Sequence, residues 1–215
     1  MEEKSELLIA VKVGGDRIEV TKRSLTSLLV HTELPVNYMV FLDNVTQEVV
    51  DFVSDLDIPF INFDEKNGYL KITEEIITYA IENDYKFLYH ADDDYIYSTS
   101  WKDILLKCVR GCLETAVVSG LCYSERIRER FTEVDIDGTK YFEVQGVIGG
   151  SMMFDINILK KIQWWKFLID DTWDLRLSNS LASKGYKVFS VKDTVCQHIA
   201  SGRTPLVMGE RFIGE

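Results

Sequence analysis

The chain has 215 residues, 46% of them hydrophobic and only three of them proline, which is enough for one substantial core or at most two lobes sharing one. A formal net charge of −11 and a pI near 4.8 set the whole-molecule field against nucleic acid and anionic lipid, so either partner would need a local basic groove. The start "MEEKSELL" has no apolar signal region behind it and no run approaches membrane-spanning length, which predicts a cytoplasmic protein whose four cysteines, Cys108, Cys112, Cys122 and Cys196, are reduced.

Strand-like and helical segments alternate from the N-terminus. Leu7 to Val13 (LLIAVKV) is a short β-rich run, and the following segment places Leu25, Leu28 and Leu29 on one helical stripe. Asn37 to Leu42 is a second strand, ahead of a helix with Val49, Val50, Val53 and Leu56 on one face. Ile58 to Phe63 is a third. After Asn67-Gly68, a helix turns Ile72, Ile76, Ile77, Ala80 and Ile81 inward. Lys86 to Ala91 is a fourth strand, and Ser100 with Asp103 three residues on makes a capping box for a helix that starts at Trp101 and buries Ile104, Leu105, Cys108 and Cys112.

This alternation predicts an α/β fold, a Rossmann-like, mostly parallel sheet with helices on both faces. The second half is less regular. Ala116 to Leu121 reads as a strand, "YFEVQGVIGGSMMFD" as two strands around Gly146, Gly149 and Gly150, and Lys187 to Lys192 as a late strand. Between them "DDTWDLRLSNSLASKG" reads as a helix with Asp170 and Asp171 at its mouth and Gly185 closing it. The whole chain, 1–215, is expected to form one domain. Its tidy half, about 1–115, binds one ligand, and its irregular half, about 116–215, shapes the site for another.

The fourth strand runs into three consecutive carboxylates, Asp92, Asp93 and Asp94. Like charges gathered at a strand end must be solvated there or neutralised by something cationic. Asp-x-Asp lets two carboxylates reach one hard cation, and Mg²⁺ or Mn²⁺ accepts one or two carboxylates together with phosphate oxygens from a substrate. In doubly wound sheets ligands bind beyond the carboxyl ends of the strands, where this triplet emerges with Gly14, Gly15, Asp16 and Asp43.

Strand–helix alternation ending in Asp-x-Asp, Asp43-Asn44 after the second strand, Asn67-Gly68 before the third helix, Gly149-Gly150, and "DDTWDL" before a Gly-Tyr turn together resemble the nucleotide-sugar-dependent glycosyltransferases of the GT-A fold, in particular inverting family 2. The resemblance spans roughly Leu7 to His198. It implies transfer of a sugar from a nucleoside diphosphate donor, UDP by default, to a hydroxyl acceptor on a glycan, a lipid carrier or, less readily, a modified nucleic acid, with Mn²⁺ or Mg²⁺ as cofactor. Asp43 matches the aspartate that contacts the base, Asp92 the position near the ribose, and Asp94 the metal ligand, with Asp92 the second carboxylate of the Asp-x-Asp at the metal and Asp93 at the nucleotide, the register of the triplet being open by one. Asn67 belongs to the same nucleotide-binding set. Val13 to Arg17, including Asp16, falls at the nucleotide but departs from the family's Thr or Ser and Asn. His198 matches a histidine that completes the metal shell, Gly150 lies near donor sugar and acceptor, and Arg203 is placed to close over the diphosphate. "DDTWDL" holds the general base, assigned to Asp171 with Asp170 and Asp174 as alternatives.

Trp164 and Trp165 are candidates for stacking on a sugar, one of them at least being needed for packing. Arg126, Arg128 and Arg130 form the local basic cluster, read as a salt-bridged surface helix. Two other functions fit the same pattern: a nucleotidyltransferase that makes a nucleotide sugar, and an inactive scaffold that retains the fold.

Overall fold

A computed structural model describes residues 5–123, 125–147 and 149–199. In chain order the strands are β1 (Leu7–Gly14), β2 (Asn37–Asp43), β3 (Phe60–Phe63), β4 (Phe87–Asp92), β5 (Tyr95–Tyr97), β6 (Thr115–Ser119), β7 (Thr132–Ile136), β8 (Thr139–Glu143), β9 (Ser151–Asp155), β10 (Lys187–Val191) and β11 (Cys196–His198). The helices are α1 (Ile18–Val30), α2 (Gln47–Asp55), α3 (Tyr69–Glu82), α4 (Trp101–Gly111), α5 (Glu125–Arg128), α6 (Ile156–Leu159) and α7 (Trp173–Ser183), with a 3₁₀ turn at Trp164–Phe167.

Nine strands form one sheet in the order β3-β2-β1-β4-β9-β6-β10-β8-β7. The half β3-β2-β1-β4 is parallel throughout. Its central strands are apolar almost end to end because helices cover both faces, and Leu7, Leu8, Ile9, Ala10 and Val11 are all buried. The expected α/β architecture is therefore present. Beyond β4 the sheet is mixed: β9 runs antiparallel between β4 and β6, β10 is parallel to β6, and β8 and β7 close the edge antiparallel.

The helical stripes pack as their spacing requires. Leu25 and Leu28 of α1, Val49 and Val53 of α2, and Ile72, Ile76, Ile77 and Ala80 of α3 are buried. In α4, Trp101, Leu105, Cys108 and Val109 are buried, and the Trp101 indole N–H donates to Thr32 Oγ1 at 3.2 Å. The expected capping box is not formed: Ser100 sits at φ −111°, ψ 9°, away from the extended geometry that aims a hydroxyl at the first free amides, and its side chain makes no cap bond. Cys112, expected inside that helix, is its extended C-terminal cap and only half-buried.

Register places the site. β1, β2 and β4 each run one residue further than their apolar stretch, so Gly14 pairs with Asp43 and Lys12 with Asp92 at one rim. Two features were not anticipated. β5 and β11 pair as a small antiparallel ribbon, joining Tyr95 to His198. β7 and β8 form a hairpin about Asp137 (φ 50°) and Gly138 (φ 79°), the left-handed pair that an Asp-Gly turn supplies.

Candidate active site

The rim of the parallel half carries the acidic triplet, and each carboxylate has its own surroundings. Asp92, the last residue of β4, has Lys12 Nζ 2.9 Å from its Oδ1, outside hydrogen-bond angles, and the same ammonium lies 3.3 Å over the Tyr69 ring. Burial pushes the Asp92 carboxyl up, but Lys12 and His90 outweigh it and leave it below the ordinary carboxylate value. Asp93 is almost fully buried and accepts from Thr21 Oγ1 at 2.7 Å and from Arg17 Nη2 at 2.9 Å. Burial pushes its pKa up to about 6 against the pull of Thr21 and Arg17. Asp94 is buried; its Oδ2 faces Arg17 Nη1 at 3.2 Å and His198 Nε2 at 3.1 Å. Its Oδ1 is buried with no hydrogen-bond partner among the described residues.

A cavity of about 350 Å³ opens beside this rim, lined by Lys12, Gly14, Gly15, Asp43, Lys66 and Tyr69 among others. Asp43 is buried at its floor and accepts from the backbone amides of Asn67 at 2.7 Å and Gly68 at 2.9 Å. The carboxylate thus fixes the turn that starts α3 as well as facing the cavity. Of the other residues expected at the nucleotide, Val13 points into the core, 1% exposed, so only its main chain is available there. Asp16 is exposed in the bend before α1. Arg203 lies outside the described residues.

The Gly149-Gly150 segment crosses the rim from the other half. Asp92 N donates to the Gly150 carbonyl at 3.0 Å, which ties it to the end of β4. Gly150 has φ +92°, and a Cβ there would meet the Tyr95 ring at 3.0 Å or less. A Cβ on Gly149 would fall 2.7 Å from Asp174 Oδ2. Both glycines are therefore required by close approach.

The three aspartates of α7 and its mouth separate clearly. Asp174 is buried, with Oδ1 accepting from Leu175 N at 2.7 Å and Oδ2 from Gly149 N. Burial pushes its pKa up against those amide bonds. Asp170 accepts from Thr172 N at 2.9 Å and Thr172 Oγ1 at 2.6 Å, and pairs with Arg176 at 2.9 Å. Asp171 is exposed with neither hydrogen bond nor ion pair among the described residues, and its charge reaches the buried Tyr69 hydroxyl across the site. Two of the candidates are thus engaged in holding structure, and one is free.

A metal would find an incomplete but suitable set of donors. A buried carboxylate oxygen without a partner, as at Asp94 Oδ1, is costly unless a cation or water reaches it. Asp94, just before β5, and His198, the last residue of β11, would supply oxygen and imidazole ligands. Among the described residues no group of three or more His, Cys, Asp or Glu side chains gathers to hold a metal. The remaining positions would fall to substrate and water oxygens, a coordination that Mg²⁺ accepts readily.

No protein-family model and no curated protein sequence matches the chain. Solved structures do match: a mannosyltransferase from Pyrobaculum calidifontis, in complex with GDP-Man and Mn²⁺, shares it at TM-score 0.68 and 13% identity over 90% of this chain and 57% of that one. The fold is GT-A. The same GT-A likeness extends to GalNAc-T7 with UDP, GalNAc and Mn²⁺ (TM-score 0.67, 9% identity, 89% of this chain and 44% of that one). It extends also to S. aureus TarS 1-349 with UDP-GlcNAc (TM-score 0.62, 13% identity, 92% and 59%). The chain spans about half the length of these GT-A proteins.

Lys12, Thr21 and Tyr69 are residues of this GT-A rim that sequence reasoning did not assign, and Arg17 entered it only as the end of the Val13–Arg17 stretch. Lys12 had a signal, being the one charge in a strand otherwise apolar on both faces. Trp164 is buried and Trp165 is 52% exposed, so packing claims the first and leaves the second open to solvent. Arg128 Nε donates to the Tyr123 carbonyl. Arg130 borders the larger cavity of about 1040 Å³ beside the outer face of α7, lined also by Tyr123, Phe131, Gln145, Asn179 and Tyr186. Neither cavity is lined by the acidic triplet itself; the smaller one adjoins it through Lys12, whose ammonium lies on Asp92.

Proposed function

We propose that this GT-A protein is a glycosyltransferase that moves a sugar from a nucleoside diphosphate donor, UDP by default, to a hydroxyl acceptor with inversion. The observation that carries this is the pairing of Asp94 with His198 at the rim, with a buried Asp94 oxygen that has no hydrogen-bond partner among the described residues, while Lys12 links the triplet at Asp92 to the 350 Å³ cavity. The chain functions as one unit, the 1–115 half toward the donor and the 116–215 half toward the acceptor.

The donor nucleotide enters between Asp43 and the Gly14-Gly15 bend, where Lys12 and Lys66 contribute positive charge and the Asp43-anchored turn fixes the wall. Mn²⁺ or Mg²⁺, when bound, is held by Asp94 and His198 and offsets negative charge on the departing diphosphate. Gly149 and Gly150, kept bare by the close approach of Asp174 and Tyr95, present their main chain to the donor sugar. Asp171 takes the proton from the acceptor hydroxyl, since it alone of the three acids at α7 is uncommitted. The acceptor is the hydroxyl of a glycan or lipid carrier. Among the described residues no helix is long and apolar enough to cross a membrane.

Nucleotidyl transfer is less well served. The bend after β1, Gly14-Gly15-Asp16, brings a single cation, Arg17, at its end, where an enzyme making nucleotide sugars needs a basic, glycine-rich loop on the phosphates. The test is a thermal shift with UDP in the presence and absence of Mn²⁺, because a ligand that binds only the native state raises its stability. UDP with Mn²⁺ is expected to raise the wild-type melting temperature, and Asp94→Ala to abolish the metal-dependent part. Equal stabilisation of both proteins removes Asp94 from the metal site. Failure of any nucleotide to stabilise wild type removes the transferase.

A further inference from the structure

The question posed by three adjacent carboxylates has an answer inside the chain: cations already face them. Lys12 lies on Asp92, and Arg17 spans Asp93 and Asp94. Arg17 Nη1 approaches the same Asp94 oxygen that His198 approaches. The two partners of this ion pair are not equally fixed. Asp93 is 2% exposed and anchored by Thr21, whereas Arg17 is 42% exposed at the end of the Gly14-Gly15-Asp16 bend. Gly14 and Gly15 line the donor cavity, so a guanidinium two residues on has that cavity within reach.

A divalent cation bound to a carboxylate sits about 2.1 Å from its oxygen. A cation shared by Asp94 and His198 lies on the side of Oδ2, the oxygen that Arg17 also faces, and a guanidinium cannot stay there with it without two like charges in contact. We infer that Arg17 is the resident counter-ion of the metal site: it holds Asp94 while nucleotide is absent, yields it to the divalent cation, and turns onto the diphosphate oxygens of the donor. Metal and nucleotide then bind synergistically, since the diphosphate takes over the cation that the metal displaces. This inference rests on the transferase reading of the same rim.

The test is titration of Mn²⁺, read from the paramagnetic resonance signal of the free ion, into wild type and R17Q, each with and without UDP. Glutamine keeps a donor for Asp93 and removes the charge. Without UDP, R17Q is expected to bind Mn²⁺ roughly tenfold more tightly, the scale on which one nearby charge alters a carboxylate's affinity for a cation. Addition of UDP is expected to tighten Mn²⁺ binding by a larger factor in wild type than in R17Q. If R17Q does not fold because Asp93 is left buried with Thr21 alone, the comparison is made between D93N and R17Q/D93N, where the same tightening is expected. Unchanged or weaker Mn²⁺ binding on loss of Arg17 overturns the inference and leaves the transferase standing. No Mn²⁺ binding by any of these proteins, even with UDP, overturns both.

Discussion

Replacing Gly150 by alanine probes the rim without touching a charged group. Its backbone lies at φ +92°, where a side chain costs about 1–2 kcal/mol. The added Cβ would also stand 3.0 Å from Tyr95 Cε2 and Cζ, and nearer still to the hydroxyl. Tyr95 is 5% exposed and its strand is paired with β11, so it cannot swing aside freely, and overpacking of this kind costs about 1–3 kcal/mol. The sum predicts that Gly150→Ala destabilises the protein by roughly 2–5 kcal/mol in urea unfolding. The two contributions can be told apart. In a Tyr95→Phe background the closest contact is gone while the backbone cost persists, so the same alanine should cost about 1 kcal/mol less. A Gly150→Ala protein within about 0.5 kcal/mol of wild type would refute the reasoning, and an identical cost in both backgrounds would refute the steric half of it.

Asp171→Asn should lower sugar transfer by at least ~100-fold while UDP affinity measured calorimetrically stays within about twofold; wild-type turnover would shift the base to another group. His90, fully buried in β4, has its pKa lowered by burial to about 4, so the unfolded chain carries more protons between pH 4 and 6.5 and stability must fall as pH drops through that window. The loss attributable to His90 is about 3 kcal/mol, and urea unfolding at pH 7, 5 and 4 should show a shallower acid decline in His90→Gln; an equally steep decline in the variant would show that other groups cause it.

In the parallel half β1, β2 and β4 were legible because they are largely buried on both faces and so read as mainly apolar runs, ending at the rim in Gly14, Asp43 and Asp92. Asp94 and His198 came together as the resemblance implied, yet nothing local announces it. β5 and β11 are three residues each, too short for periodicity, and only their pairing brings the two side chains within 3.1 Å. The roles of Arg17 and Thr21 were invisible for a similar reason, since their meeting with Asp93 depends on how α1 packs over the end of β4. The three aspartates near α7 look alike in sequence. The approach of the Gly149 amide commits Asp174, and Arg176 commits Asp170. The β7–β8 hairpin, by contrast, carried a readable Asp137-Gly138 signal.

The ribbon that joins Tyr95 to His198 links positions about a hundred residues apart, and Asp94 receives its imidazole only through it. Loop closure of that length is slow relative to helix and hairpin formation. With the metal held by Asp94 and His198 as proposed, divalent-ion affinity should lag behind secondary structure during refolding, appearing only once the distal strand has docked. Manganese uptake would then report completion of the native topology, a readout that circular dichroism, saturated earlier by the helices and the central sheet, cannot provide.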